Sequence, residues 1–179
     1  DTAGAEEAAR AVLTHDPMNK PAMATAFQLA QSRGDFTSIR LPLERAIDTN
    51  DRSVMHLNWM AIVRESEGDL DAAEQLLRRA LEANPDHGGS MANLGAFYTR
   101  QGRAAEAVRV LERALRLERD NLEARVNLAT ALGMSGRYAQ AIEEFETIVA
   151  NGHQSPGVFN GLARACGESG DSAVSGEYS

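Results

Sequence analysis

Residues able to carry chemistry are few in this chain, and they do not converge. Four histidines, His15, His56, His87 and His153, stand far apart, three of them beside turn-forming residues, which predicts solvated or capping roles. No HExxH, no paired CxxC and no Walker loop is present, so the spacings that gather metal ligands or cradle phosphates are missing. "GESGD" (167–171) has the small residues of a turn but no strand before it to aim a phosphate at a helix start. Cys166 is the single cysteine and follows an apolar helix face, the setting of a buried, inert thiol. Glu74 with Arg78 and Glu112 with Arg116 are four residues apart, and such surface pairs steady a helix by ~0.2–0.5 kcal/mol. These residues predict no catalytic centre, no metal site and no cofactor.

Bulk properties narrow the classes further. The chain has 179 residues, 43% hydrophobic and 25% charged, a globular composition able to bury a core. Its net charge of −8 argues against nucleic acid, whose binding rests on a basic footprint. No apolar run approaches the ~18 residues a membrane span needs, and no charged-then-apolar signal opens the sequence. One cysteine permits no internal disulfide, so the compartment stays open between bacterial cytoplasm and periplasm. The bacterial reading comes from the basic residues, nearly all arginine, with Lys20 the only lysine.

The elements that position these residues follow from a repeat. Gly34, Gly68, Gly102, Gly136 and Gly170 share one phase of 34 residues, each followed by Asp or Arg. With glycine at ~7% of ordinary usage, four further hits in one phase have odds of roughly one in forty thousand. Counting slots from Lys20, the seventh reads Ala26, Met60, Leu94, Leu128, Leu162, and the eighth Phe27, Ala61, Gly95, Ala129, Ala163. The twentieth reads Ala5, Ile39, Ala73, Ala107, Ala141, the twenty-fourth Ala9, Leu43, Leu77, Leu111, Phe145, and the twenty-seventh Val12, Ala46, Ala80, Ala114, Ile148. Apolar slots at helical spacing on both sides of a glycine describe two amphipathic helices around a tight turn. The glycine supplies the left-handed residue that ends the first helix. Small residues in the eighth and twentieth slots let the two backbones approach closely.

The pattern is identified as a member of the tetratricopeptide repeat family, most closely in "NLGAFYTRQGRAAEAVRVLERAL" (93–115) and "EGDLDAAEQLLRRALEANPD" (67–86). The resemblance covers essentially the whole chain and implies an all-α fold, a right-handed superhelical solenoid of helix-turn-helix repeats. Whole units span 20–53, 54–87, 88–121 and 122–155; 1–19 is the second helix of a preceding unit and 156–179 a partial one. The first whole unit departs most. Phe27 fills a slot usually small, and Pro42 falls about five residues into the second helix, where a proline costs ~3 kcal/mol. The first turn there is expected to be late, kinked or unwound.

In this family the first helices line the concave side, which the resemblance carries onto Met55, Asn58, Trp59 and Ile62, then Asn93 and Arg100, then Asn127, Thr130 and Met134. Asn93 and Asn127 hold the sixth slot of adjacent units. A side-chain amide both donates and accepts, so a row of them pairs with an extended peptide backbone; this is similar to the asparagine ladder in the repeat domain of O-GlcNAc transferase. The alternative is that Asn before Leu-Gly or Leu-Ala is simply common in the family. Trp59 holds the same slot one unit earlier, either as a binding hot spot or as packing between first helices. The basic clamp that relatives use for acidic chaperone tails is missing: its slots read Ala24/Gln28, Asn58/Ile62, Ala92/Ala96 and Val126/Thr130.

These features describe a non-catalytic scaffold or adaptor that binds an extended or helical protein segment in its groove, for instance within a pilus or secretion machine. Two alternatives stand: a substrate-docking region of a larger enzyme such as a transferase or sulfatase, or a module that self-assembles through the solenoid ends. The final stretch "DSAVSGEYS" (171–179) has the position of a second helix but only about two turns, too short to stand alone. The polypeptide is therefore expected to continue past Ser179, or this end to be covered by a partner or a second copy.

Overall fold

The computed structural model describes residues 2–49 and 52–170, and the expectation for 171–179 lies outside them. Ten helices and no strand occur among the described residues. They are α1 (Thr2–His15), α2 (Lys20–Arg33), α3 (Thr37–Asp48), α4 (Val54–Ser66), α5 (Leu70–Ala83), α6 (Gly88–Arg100), α7 (Ala104–Leu117), α8 (Leu122–Met134), α9 (Tyr138–Ala150) and α10 (Pro156–Ser169). The even-numbered helices each begin 34 residues after the last. This is the helical-repeat solenoid architecture of tetratricopeptide repeats. The chain divides into two compact units, one ending at Pro85 with α1–α5 and one starting at Asp86 with α6–α10.

Local chemistry sets the helix ends. Asn19, Asp69, Asn121 and Ser155 each accept the amide of the third residue on, capping α2, α5, α8 and α10. His87 does the same for α6 through Nδ1, 2.9 Å from the Ser90 amide, so this histidine is a cap. Gly34, Gly68, Gly102, Gly136 and Gly170 all take the left-handed conformation, with φ between 67 and 81°. At Gly102 the next amide, Arg103 N–H, reaches back to the Tyr98 carbonyl at 2.9 Å, closing the turn between α6 and α7.

The apolar columns form the core. The seventh and twenty-fourth slots are buried throughout, from Ala9 and Ala26 to Phe145 and Leu162. Ala73, Ala107 and Ala141 are fully buried where second helices cross first ones, and Gly95 lies directly against the Leu111 side chain. Within the second unit Phe145 and Ile148 of α9 pack with Val158, Leu162 and Cys166 of α10. Cys166 is wholly enclosed, as expected of an inert thiol.

Four residues depart from expectation. His56 is fully buried and not solvated, because it starts the inward face of α4, one turn from Met60. Ala5 and Val12 are exposed, since α1 packs through Ala9 and Leu13 alone and turns its other face outward. The helix around Pro42 is not unwound: α3 begins at Thr37, one residue later in the repeat than α5, α7 and α9, and runs through the proline.

The start at Thr37 has a cause. The Asp35 carboxylate accepts the Thr37 amide at 3.0 Å and the Thr37 hydroxyl at 2.8 Å, anchoring the first turn. The backbone hydrogen bond from Thr37, then its hydroxyl, holds the Asp35 carboxyl below its ordinary pKa. A depressed folded-state pKa means stability present above the ordinary carboxylate range and lost as pH falls through the folded value. Thermal midpoints of the wild type and Asp35→Ala should thus differ at neutral pH and converge in acid; a gap independent of pH would detach the effect from this charge.

Candidate functional site

The first helices of neighbouring hairpins pack side by side in the second unit. In the second unit α6 lies against α8, and α8 against α10. Asn93 and Asn127 thus stand on adjoining helices, both partly exposed. Asn127 donates from Nδ2 to the Glu123 carbonyl at 2.9 Å, one turn back on its own helix, which leaves its Oδ1 as acceptor. The Asn93 amide makes no hydrogen bond among the described residues. Arg100, at the end of α6, is exposed.

Thr130 and Met134 converge on one cleft. It measures about 300 Å³, lies between α8, α9 and α10, and is entered past Thr130, Met134, Arg164 and Glu168. Met134 is 47% exposed, a large apolar side chain at the rim. Thr130 donates its hydroxyl to the Val126 carbonyl at 2.9 Å, which turns its methyl and lone pairs to the opening. The floor is the Phe145 ring. The ring is buried, 3% exposed, because the α10 backbone comes down on it at Gly161, the sixth-slot residue: a Cβ there would come within 2.4 Å of the ring. Phe145, Gly161, Tyr138 and Glu168 were not among the residues singled out from the sequence. The available signal was Gly161 in a slot held elsewhere by Trp59, Asn93 and Asn127.

The first unit carries the other four. Met55, Trp59 and Ile62 on α4 are partly exposed. Trp59 stacks on the buried Phe27 ring of α2 with centroids 4.9 Å apart and 14° between planes. It therefore roofs the core while keeping some open surface, and Phe36 closes the other side of Phe27 at 5.8 Å. Asn58 is 5% exposed and donates to the Val54 carbonyl at 2.9 Å. Its side chain is enclosed rather than presented, because the fifth slot of α4 rotates inward beside Leu57. That removes Asn58 from the accessible row.

Among the described residues no cluster of His, Cys, Asp or Glu could hold a metal ion, and no helix is long and apolar enough to cross a membrane. The arrangement offers a shallow row of amides and one apolar-floored cleft with a cation and a carboxylate at its mouth. Such a surface can hold a chain segment.

Comparison with known proteins agrees with this geometry. Models of the tetratricopeptide repeat match residues 24–88, 65–114 and 98–165. No curated protein matches. A tetratricopeptide repeat protein from Parabacteroides merdae superposes with a TM-score of 0.73 at 18% identity, over 99% of this chain and 71% of that one. MamA from Desulfovibrio magneticus RS-1 superposes at 0.75 with 18% identity, over 87% of this chain and 88% of its own. MamA AMB-1 gives 0.71 at 23% identity, over 83% and 88%. At these identities the likeness speaks for the fold alone. The repeat models span more than half of the sequence, and the chain belongs to the tetratricopeptide repeat family.

Proposed function

We propose that the chain is a non-catalytic scaffold that holds an extended or helical segment of another protein along its first helices, with Asn93, Asn127, Thr130 and Met134 in contact. Protein interaction is the general role of these repeats. The reading is supported above all by the cleft between α8, α9 and α10, where Thr130 and Met134, on the helix that also carries Asn127, meet Arg164 of α10. An apolar side chain of the guest would rest against the exposed Met134, and its backbone would pair with the amides. Met55, Trp59, Ile62 and Arg100 complete the proposed set, over the repeat frame opening at Lys20.

Photo-crosslinking tests this. A benzoylphenylalanine at Met134 should capture the guest, whereas one at Arg109, exposed on α7, should not. The captured segment should bind an Asn93→Ala, Asn127→Ala variant about tenfold more weakly, the loss of one or two net hydrogen bonds. Equal binding by that variant, with helicity intact, would dispose of the amide row. Trp59→Ala should destabilise by ~1–2 kcal/mol, through the lost stack on Phe27. A loss of ~3–5 kcal/mol would make Trp59 a core residue and remove it from the site.

A further inference from the structure

Away from the first helices, α1 and α3 enclose a second cleft of about 450 Å³, lined by Arg10, Leu13, Ser38, Leu41, Pro42 and Arg45 among others. Three features set it apart from ordinary helix packing. Leu41 is 52% exposed, the most open of the large apolar side chains described. Pro42 stands inside α3 and carries no amide hydrogen, so the Ser38 carbonyl, one turn earlier, lacks the donor that a helix supplies. Ser38, Leu41 and Pro42 all line the cleft. The charges are one-sided as well. In a chain of net charge −8, this cleft is lined by two guanidinium groups and no carboxylate. Arg10 is held by Glu6 at 3.1 Å, while Arg45 makes no ion pair among the described residues.

We infer that this face is a second protein-docking site, whose guest is an acidic segment carrying an apolar anchor. The anchor side chain lies between Leu13, Leu41 and Pro42. An amide or hydroxyl of the guest donates to the Ser38 carbonyl, and a flanking carboxylate meets Arg45. This site is separate from the first-helix row and does not depend on it. It also gives Pro42 a role: the proline weakens α3 but exposes a directed acceptor at the point where an apolar side chain would dock.

The test pans a phage library of random twelve-residue peptides against the full chain, and in parallel against a Leu41→Ser, Arg45→Glu variant. Both changes fall on exposed side chains, so helicity should be unchanged. Peptides pairing Asp or Glu with Leu, Ile or Phe should be enriched on the wild type and absent from the variant. Synthesised singly, such a peptide should bind Leu41→Ser about tenfold more weakly, the loss of one buried leucine contact. It should bind Asn93→Ala, Asn127→Ala as tightly as the wild type. Enrichment of basic peptides, equal recovery on the variant, or displacement by inorganic phosphate alone would overturn the proposal. Binding lost in the double-Asn variant but kept in Leu41→Ser would assign those peptides to the first-helix row instead, and would overturn it too.

Discussion

Leu111→Ala is expected to lower the unfolding free energy by ~2–5 kcal/mol, and adding Gly95→Ala should return part of that loss. Leu111 is fully buried on α7 and lies directly under Gly95 of α6. A Cβ at residue 95 would come within 2.3 Å of the Leu111 Cγ, far inside van der Waals contact. Gly95→Ala alone therefore sets two opposing effects against each other. The methyl gains ~1 kcal/mol of helix propensity but overpacks the contact by ~1–3 kcal/mol, so the net change is a modest loss. Once Leu111 is truncated, the same methyl enters the space left behind and keeps the propensity gain. The two changes should thus couple by ~1–2 kcal/mol. Denaturant midpoints of the four proteins measure this directly. Additive losses would mean that α6 and α7 do not meet as closely as the glycine implies.

That contact also shows why so much of the fold is legible in the residues. A repeat returns each slot to the same environment, so one structural demand is written five times over. The demand for a left-handed residue appears as five glycines in phase, and all five adopt positive φ. The demand for close helix approach appears as Gly95, Ala73, Ala107 and Ala141 in two columns. Features that break the period are written once and are harder to read. Buried His56 is one, since its neighbours a repeat away, Ser90 and Ala124, give no hint of an imidazole in the core. The Phe145-floored cleft is another. It is bounded by three helices, one of them pressed onto Phe145 at Gly161, and a void between three helices has no sequence signature of its own. Asn58 was misplaced for a geometric reason, because slot number fixes a residue's angle around the helix only within the tilt of that helix. Asn127 is partly exposed on α8, and its bond to Glu123 shows a local partner competing for the amide that an incoming backbone would use.

Pro42→Ala should raise stability by about 2 kcal/mol while weakening the α1–α3 site. An internal proline costs ~3 kcal/mol against alanine, through one missing hydrogen bond and a clash with the carbonyl four residues back. Against this, proline restricts the unfolded chain and so contributes ~0.4–1 kcal/mol that alanine gives up. The balance favours alanine because Pro42 is the sixth residue of α3, beyond the first turn where a proline is harmless. Thr37, anchored by Asp35, fixes that start, so the helix cannot retreat to place the proline at its beginning. The Ser38 carbonyl would then receive an amide from residue 42 and cease to be an acceptor for anything else. Acidic, apolar-anchored peptides should accordingly bind Pro42→Ala several-fold more weakly, although the variant is the more stable protein. Stability and affinity moving in opposite directions is a result that a purely structural proline would not produce. If the denaturant midpoint falls, the ring's contacts in the cleft outweigh the missing bond. If the midpoint rises with affinity unchanged, the freed carbonyl plays no part in docking, and the apolar and charged contacts at Leu41 and Arg45 must account for it alone.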